Sequence, residues 1–427
     1  MNNTQISAHL TAGEYDARLI TLYGTPSLED TRQRCLDALQ QFVVRFGERE
    51  GIMILSAPGR IEVGGNHTDH NGGRVIAAAI NLDILAVAAP SDDGMARLWS
   101  QDFGSDVVDL SILTPQSDET GTSRALLRGV ASALRERGYP IGGWVAYTIS
   151  QVPKGSGLSS SAAFEILLCN LFSHLYGQGR LGAVEAALIS QRAENVFFGK
   201  PCGLEDQIAS SVGGFVSIDF FDPAHPRVAP LQFDLAFSGH ALCFVDTKGS
   251  HHNLTDDYAA IPIEMKAVAE VLGADMLAHV SGGIEMLMAR AVEVRQRCGD
   301  RAFLRALHFY DDSHRAALQA DALQCGNFSE FLRLVTESGR SSWMLLQNIY
   351  APSSPSEQGL AVALALTKRF LAGQGACRVQ GGGFAGTMQA YVPLERLASY
   401  RTMIEGVFGV DSCHVLHIRA HGGTRVL

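Results

Sequence analysis

Two hydrophobic periodicities run along the chain, and together they predict its helices and strands. Between residues 13 and 48 the apolar residues recur about every 3.6 positions, which predicts helix. Between residues 144 and 150 every second residue is bulky and apolar, which predicts a strand. On the same grounds we expect further helices at 123–138, 159–176, 181–198, 258–272, 283–298, 300–309, 313–323, 327–338, 355–373 and 394–407. We expect further strands at 52–56, 214–220, 241–247, 376–380, 387–393 and 413–418, and buried strands joined by a turn at 74–89.

The middle of the chain is rich in proline and predicts a domain boundary. Residues 222–230 hold three of the 14 prolines, and a predicted strand opens the second half soon afterwards. We therefore expect a connecting segment over 222–230 and two domains, which cover residues 1–230 and 231–427. The sequence contains no repeat of about 20–50 residues, so a repeat architecture is excluded.

Composition and charge restrict the class of protein. The chain has 427 residues, of which 46% are hydrophobic and 18% charged, so it can bury a sizeable core. Its net charge of −10 argues against a general binder of nucleic acid or anionic membranes, because phosphate surfaces need clustered Lys and Arg. A small anionic ligand held by a few local groups is compatible with this charge.

Three sequence features indicate a cytoplasmic protein. The first residues lack the basic segment and apolar run of a secretory signal. The longest apolar stretch, residues 75–90, is interrupted by Asn81 and Asp83, so we expect no membrane span. The eight cysteines are isolated, without any Cys-x-x-Cys pair, so we expect free thiols and no zinc site.

Glycine is over-represented, with 44 residues, and its first cluster lies at 57–73. Ala57-Pro58-Gly59 is expected to end the strand predicted at 52–56. The cluster then packs one arginine, two histidines, two asparagines and two acids into twelve residues. Side chains of this kind suit a ligand with many hydroxyls, since they donate and accept hydrogen bonds. A solvated loop is the alternative, and the histidine spacing fits no standard zinc site.

A second glycine cluster, residues 153–163, lies between a predicted strand and a predicted helix. Its glycines let backbone N–H groups approach an anion, and the N-terminus of the following helix adds free donors. The segment is not a Walker A motif, because no Gly-Lys-Ser/Thr occurs at the required spacing. Phosphate binding and an ordinary helix start rich in glycine and serine both stay open.

Two further segments carry candidates for chemistry. Residues 381–386 hold three consecutive glycines between predicted strands, which indicates a hairpin turn or the close approach of a ligand. Residues 194–207 contain Glu194 near the end of a predicted helix and Asp206 just after a Pro-Cys-Gly break. A carboxylate placed like Asp206 can be a general base or a helix N-cap, and the residues alone favour the N-cap.

These four segments, in this order, resemble the GHMP kinase superfamily and, within it, the galactokinases. Residues 59–71 read Gly-Arg-Ile-Glu-Val-Gly-Gly-Asn-His-Thr-Asp-His-Asn, where the family has Gly-Arg-Val-Asn-Leu-Ile-Gly-Glu-His-Thr-Asp-Tyr-Asn. The family's Gly-Leu-Ser-Ser-Ser-Ala is intact at 157–162, and its Cys-Gly-Ile-Met-Asp-Gln is Cys-Gly-Leu-Glu-Asp-Gln at 202–207. Its Gly-Gly-Gly-Phe-Gly-Gly stands at 381–386 with Ala385 in place of one glycine.

The resemblance implies a fold and a reaction. The fold is α+β with two domains, the first similar to domain 2 of ribosomal protein S5 and the second ferredoxin-like, with the active site between them. The reaction is transfer of a phosphoryl group from ATP to the anomeric C1 hydroxyl of a sugar. Asp206 would take the hydroxyl proton, and Arg60 would lie between Asp206 and the γ-phosphate, where it keeps Asp206 ionised.

The resemblance also implies which residues bind each reactant. The residues expected at the ATP phosphates are Gly155, Ser156, Gly157, Leu158, Ser159, Ser160 and Ser161. Mg²⁺ would be held by Ser161 and Glu194, since this ion takes hard oxygen ligands and few protein contacts. The residues expected at the sugar are Asn66, His67, Asp69, Gly203 and Tyr258.

Among the positions of 59–71 that differ from the family motif, three polar ones leave the sugar open. Asn66 stands where the family glutamate meets the sugar's C6 hydroxyl, Glu62 replaces an asparagine, and His70 replaces a tyrosine. A neutral amide tolerates a carboxylate that a glutamate would repel. Galactose is the substrate that we expect first, and galacturonate or another galactose-like sugar is the alternative.

A sugar- and ATP-binding regulator without catalytic activity is the alternative from another class of protein. It is disfavoured because the serine run 159–161, Arg60, Glu194 and Asp206 are all intact. As partners we expect the sugar and ATP alone, with no nucleic acid and no membrane, in a monomer or weak homodimer.

Overall fold

The computed structural model describes residues 1–153, 155, 157–249, 254–384 and 386–427. Within these ranges the chain forms two β-sheets with helices packed against them, so the expected α+β class is confirmed. The strands are β1 (Met53–Gly64), β2 (Arg74–Ser91), β3 (Met95–Ser100), β4 (Gly104–Asp109), β5 (Gly143–Ser150), β6 (Phe215–Asp219), β7 (Arg227–Leu231), β8 (His240–Asp246), β9 (Ala376–Val379), β10 (Thr387–Pro393), β11 (Cys413–Leu416) and β12 (Thr424–Arg425).

The helices of these ranges fall into a group before β8 and a larger group after it. The first group is α1 (Asn3–Thr11), α2 (Asp16–Tyr23), α3 (Leu28–Phe46), α4 (Ser123–Glu136), α5 (Ser160–Tyr176), α6 (Ala183–Arg192) and α7 (Glu205–Val212). The second group is α8 (Thr255–Val271), α9 (Gly283–Ala289), α10 (Ala291–Cys298), α11 (Asp300–Gln324), α12 (Phe328–Ser341), α13 (Gly359–Leu371) and α14 (Leu397–Phe408). No helix in these ranges is both long enough and apolar enough to span a bilayer.

The first sheet is organised around the long strand β2. Its first half pairs with β6, its second half pairs with β5, and β1 runs antiparallel beside it. The strand order is β12-β1-β2-β5-β3-β4, with β6 and β7 attached to the first half of β2. Helices α4 and α5 cover one face, where Trp144 and Phe172 meet edge to face in the main hydrophobic core.

The second sheet has the strand order β11-β8-β10-β9, and all its neighbours are antiparallel. In chain order it reads strand, helices, strand, strand, helix, strand, which is the ferredoxin-like arrangement. Helices α13 and α14 pack on this sheet around Tyr400 and Ile404. The expected ferredoxin-like architecture of the second half is therefore confirmed.

Several predicted boundaries were wrong for identifiable reasons. Strand β1 does not end at Pro58 but continues to Gly64, because its register with β2 shifts between Pro58 and Arg60, and a proline without an N–H fits at such a bulge. The helix expected over 13–48 is divided at Gly24 and Pro26. Residues 74–89 form one continuous strand rather than strands with a turn.

Two segments that we expected to lie outside helices and strands belong to regular elements. Residues 300–309 and 313–323 belong to the single helix α11, because Asp312 between them is buried and hydrogen-bonded rather than exposed. The connection expected over 222–230 contains β7, an edge strand paired only with β6 within the described ranges, which is where Pro230 is tolerated.

The last residues of the chain return to the first sheet. Strand β12 pairs with β1, and Arg419 lies fully buried beside Asp83 and Ser56 of the first half. Helices α11 and α12 also pack against β2 and β1. A division into domains at residues 230 and 231 stays our proposal, with the C-terminal segment crossing back to the first domain.

Candidate active site

A group of hydrogen-bonded polar residues joins β1 to the start of α7. Arg60 of β1 donates to Asp206 through Nε, at 2.6 Å from Oδ1, and through Nη1 to the carbonyl oxygen of Gly157, also at 2.6 Å. Ser159 Oγ donates to the other carboxylate oxygen of Asp206. One buried guanidinium thus links a carboxylate to the glycine-rich loop, as expected for residues that act together.

The charge of Arg60 is well supported by its surroundings. Burial acts to lower its pKa, but the carboxyl groups of Asp206, Glu205 and Glu62 outweigh burial and raise the pKa above its usual value. Arg60 therefore stays cationic and holds Asp206 in place. A side-chain carboxylate held this way is available as a proton acceptor, since Asp206 keeps about a third of its surface exposed.

The segment before α5 has the backbone geometry of an anion-binding loop. Gly155 and Gly157 adopt positive φ angles of 73° and 78°, and Ser159 is left-handed at 58°. Helix α5 begins at Ser160, directly after the residue that contacts Asp206, and the first N–H groups of a helix have no partner within the helix. Ser160 and Ser161 are half-buried in the first turn. Ser156, which we expected in the same set, lies outside the described residues.

Gly59 explains how the loop and β1 come together. A Cβ at this position would lie 2.7 Å from the carbonyl oxygen of Leu158, so only glycine permits the approach. The backbone N–H of Arg60 donates to the same carbonyl at 3.1 Å. The first and second glycine clusters of the sequence therefore meet at this contact.

A group of buried carboxylates lies behind the loop, between α5, α6 and α7. Gln207 Nε2 donates to Glu194 Oε2 at 3.0 Å and to Glu165 Oε2 at 3.2 Å, and Lys200 Nζ lies 3.2 Å from Glu194 Oε1. Burial raises the pKa of Glu165 well above its usual value, and the neighbouring Glu194 carboxylate raises it further. Glu194 thus already faces one cation, the Lys200 ammonium.

The two residues expected at Mg²⁺ carry the kind of donor atoms that this ion takes. Glu194 offers a carboxylate and Ser161 a hydroxyl, which are hard oxygen ligands. Nowhere in the described ranges do three or more His, Cys, Asp and Glu side chains form a cluster that could hold a metal by itself. A Mg²⁺ held by one or two protein oxygens and completed by phosphates is compatible with this arrangement.

The residues expected at the sugar converge on two glycine segments. His67 Nε2 lies 3.1 Å from the carbonyl oxygen of Gly382, and the Tyr258 hydroxyl donates to that of Gly383 at 2.9 Å. Asp69 lies against Gly203, where any Cβ would overlap its Oδ2 atom. Four of the five expected sugar residues therefore border one region, framed by the turn 381–383 and the segment before α7.

His67 stands in this region as a neutral ring. It has a left-handed φ of 59°, which fixes its direction at the end of β1. Burial and the nearby His70 lower its pKa to about 4. A neutral imidazole can both donate and accept a hydrogen bond, which suits hydroxyl groups.

Asn66, the fifth residue expected at the sugar, contacts the turn 381–383 from the buried side. It is fully buried, and its side chain is hydrogen-bonded to Glu62, Gly381, Ser342 and Asn348. The side chains of Glu62, Ser342 and Asn348 are themselves buried, so Asn66 is surrounded by the interior of the protein.

Sequence reasoning missed one charged neighbour of the site, Glu205. Glu205, next to Asp206, is buried, and its Oε1 has no hydrogen-bond partner among the described residues. Burial and the nearby carboxyls raise its pKa well above the usual value. The sequence signal that could have found Glu205 is that this acid stands where the quoted motif has a methionine.

Comparison with known proteins agrees with this arrangement. The family model for the galactokinase galactose-binding signature matches residues 40–90, and that for the GHMP kinases N terminal domain matches residues 125–214. A galactokinase of Streptomyces coelicolor is 33% identical over 387 residues, which are 89% of this chain and 95% of that protein. The chain belongs to the galactokinase family. A galactokinase of Glaesserella parasuis is 30% identical over 370 residues, 85% of this chain and 91% of that protein.

Solved structures support the same fold. A galactokinase of Lactococcus lactis, determined in complex with galactose, has a TM-score of 0.78 at 23% identity and covers 92% of this chain and 100% of its own. A mevalonate kinase of Methanococcus jannaschii has a TM-score of 0.61 at 17% identity, over 87% of this chain and 99% of its own. The expected GHMP kinase fold is confirmed, and family membership makes this chain a sugar kinase with ATP as its co-substrate.

Proposed function

We propose that this galactokinase-family enzyme transfers the γ-phosphoryl group of ATP to the C1 hydroxyl of galactose. The observation that carries the proposal is the contact of Arg60 with both Asp206 and the Gly157 carbonyl, which joins a proton acceptor to an anion-binding loop. Phosphoryl transfer needs reactants held in line and charge stabilised, and little covalent chemistry from the protein.

Asp206 accepts the proton of the C1 hydroxyl as the oxygen attacks phosphorus. Arg60 orients the carboxylate, and its positive charge offsets the charge that develops on the transferred group. The N-terminus of α5 and the backbone of residues 155–161 hold the phosphates. Ser159 donates to Asp206 and orients it.

Glu194 and Ser161 would hold Mg²⁺ together with the ATP phosphates. Bound there, the ion would supply positive charge that screens the phosphates. Gln207 keeps the Glu194 carboxylate in position from α7, the helix that also carries Asp206. The helix that carries the base therefore also positions the proposed metal ligand.

Asp69, His67, Tyr258 and the backbone of Gly203 bind the sugar. Asp69 accepts hydrogen bonds from two neighbouring ring hydroxyls, and this selects the axial C4 hydroxyl. We place galactose ahead of galacturonate because the family model for the galactose-binding signature matches residues 40–90 and the two similar curated proteins are galactokinases. We propose a monomer or weak homodimer that works in the cytoplasm, where thiols such as the eight free cysteines stay reduced.

Substitution of the base tests the proposal. Asp206→Asn removes the proton acceptor but keeps the shape of the side chain, so we expect kcat to fall about a thousandfold. Isothermal titration should still detect galactose binding. The matched control is Asp118→Asn at an exposed position, which should keep wild-type kcat. An Asp206→Asn enzyme with near wild-type turnover would exclude Asp206 as the base.

A further inference from the structure

The side-chain amide of Asn66 has no hydrogen-bonding capacity left for a ligand. An asparagine amide offers two donor hydrogens and two acceptor lone pairs. Nδ2 donates to Glu62 Oε1 at 2.9 Å and to the Gly381 carbonyl at 2.8 Å. Oδ1 accepts from Asn348 Nδ2 at 2.8 Å and from Ser342 Oγ at 3.3 Å. All four positions are used by residues of this chain.

The backbone of Asn66 is held equally firmly by helix α11. Its N–H donates to Asp312 Oδ2 at 2.9 Å, and its carbonyl lies 2.9 Å from His308 Nε2. A carbonyl only accepts, so Nε2 carries the proton, and Nδ1 accepts from Ser341 Oγ at 2.8 Å. His308 and Asp312 are both fully buried, and burial lowers the pKa of His308, which keeps the ring neutral as this pattern requires.

These contacts converge on the residue before His67 and on the turn 381–383, which border the sugar region. Asn66 directly precedes His67, and its amide donates to Gly381, next to the carbonyl that His67 contacts. Asn348 Nδ2 lies 3.2 Å from the Gly382 carbonyl as well. A Cβ on Gly383 would overlap the Asn348 carbonyl oxygen, so the turn 381–383 is fitted closely against this residue.

We propose that Asn66 is a positioning residue that does not itself contact the sugar. His308, Asp312 and Asn348 hold it in place, and it aligns residues 66–69, which we call the sugar loop, with the turn 381–383. We call Asn66, His308, Asp312 and Asn348 the Asn66 clamp. The inference rests on the proposed function and assigns Asn66 a different role from the one that its place in the motif implies. The clamp acts through His67 and Asp69, which follow Asn66 directly along the chain.

Substitution at position 66 tests whether Asn66 positions the loop. Asn66→Asp keeps both acceptor contacts and replaces the two donors by a carboxylate that faces Glu62 and the Gly381 carbonyl. A buried group left unpaired costs about 1–3 kcal/mol, so we expect KM for galactose to rise roughly 10- to 100-fold, with kcat and KM for ATP within about twofold of wild type. Asn327→Asp, the same change at an exposed helix cap, is the control.

A second sugar separates positioning from direct contact. The clamp predicts that Asn66→Asp raises KM for galactose and for 6-deoxygalactose by the same factor, because the loop moves for both. A direct contact with the C6 hydroxyl predicts instead that the variant shrinks the difference between the two sugars. That result, or an unchanged KM for galactose, would overturn the inference.

A variant outside the loop keeps the inference testable if Asn66→Asp does not fold. Asn348→Ala removes one donor to Asn66 from the far side of the clamp, and we expect KM for both sugars to rise roughly tenfold by an equal factor. An unchanged KM in Asn348→Ala would contradict the clamp. Failure of the wild-type enzyme to turn over galactose would instead overturn the proposed function, which makes the two failures distinguishable.

Discussion

His67 shows how one side chain can link substrate recognition to the acid stability of the fold. Its ring is neutral, because burial and the neighbouring His70 lower its pKa to about 4. In the unfolded chain the same group titrates near 6.5. Between these values the unfolded chain binds the proton more readily, so acidification favours unfolding.

We therefore expect the free energy of unfolding to fall as the pH drops from about 6.5 towards 4. A single group contributes at most about 1.4 kcal/mol per pH unit. His67→Asn should remove part of this slope, since asparagine tolerates the left-handed backbone but does not titrate. Urea unfolding of both proteins at several pH values measures it, with His314→Asn at an exposed position of α11 as control. Equal slopes in wild type and His67→Asn would contradict the assignment.

At the scale of elements, the segment between Gly199 and α7 fixes the position of Asp69 by steric contact. Gly203 is outside the left-handed region, so its backbone accepts any residue. What excludes a larger residue is Asp69, whose Oδ2 occupies the place of a Cβ. The approach of the two segments therefore depends on this glycine.

Gly203→Ala should displace the Asp69 carboxylate and weaken sugar binding. We expect KM for galactose to rise about tenfold, with little change in KM for ATP, because one hydrogen-bonding group is moved away from the sugar. Gly182→Ala is the matched control, since a Cβ there meets no atom within 4 Å in the described structure. Steady-state kinetics of both variants measure the effect, and a larger change in KM for ATP than for galactose would argue against this role.

Much of this arrangement could be predicted from the sequence, and some of it could not. Periodicity located most helices and strands, and the four motifs gathered Arg60, Asp206, His67 and Asp69. The role of Asn66 was not accessible, because its partners in α11 lie more than 240 positions away along the chain. The motif gave the position of Asn66, and only the contacts show what its amide does.

The strand end predicted at Pro58 was wrong for the same reason, because contacts with a distant segment decide where the strand ends. Proline predicts an interruption from local rules, but β1 passes through it because the neighbouring strand shifts register there. The sequence likewise predicted two helices, 300–309 and 313–323. Helix α11 is continuous between them because tertiary hydrogen bonds hold Asp312 in the interior. Local patterns predict elements well where their polar groups have no distant partners.

At the scale of the whole molecule, a buried ion pair ties the C-terminal segment to the first sheet. Asp83 of β2 is fully buried and accepts from Arg419 Nη1 at 3.1 Å and from Arg34 Nη2 at 2.7 Å. Tyr23 and Ser56 donate to the same carboxylate. Burial acts to raise the pKa of Asp83, but the two guanidiniums outweigh it and lower the pKa.

Removal of Arg419 should therefore destabilise the entire fold. Arg419→Met leaves Asp83 with one guanidinium fewer, and we expect a loss of about 3 kcal/mol in the free energy of unfolding. Arg401→Met removes an exposed pair with Glu405 and should cost less than about 0.5 kcal/mol. Urea unfolding at neutral pH compares the two variants. Equal stabilities would show that the C-terminal segment is not held by this pair.

The proposed phosphorylation of galactose at C1 can be measured directly on the whole enzyme. Purified protein is incubated with ATP and Mg²⁺ and either galactose or galacturonate, ADP release is followed, and the phosphorylated product is identified by phosphorus NMR. With galactose we expect ADP release and a product phosphorylated at C1. With galacturonate we expect little turnover. Phosphorylation of galacturonate without phosphorylation of galactose would contradict the proposal.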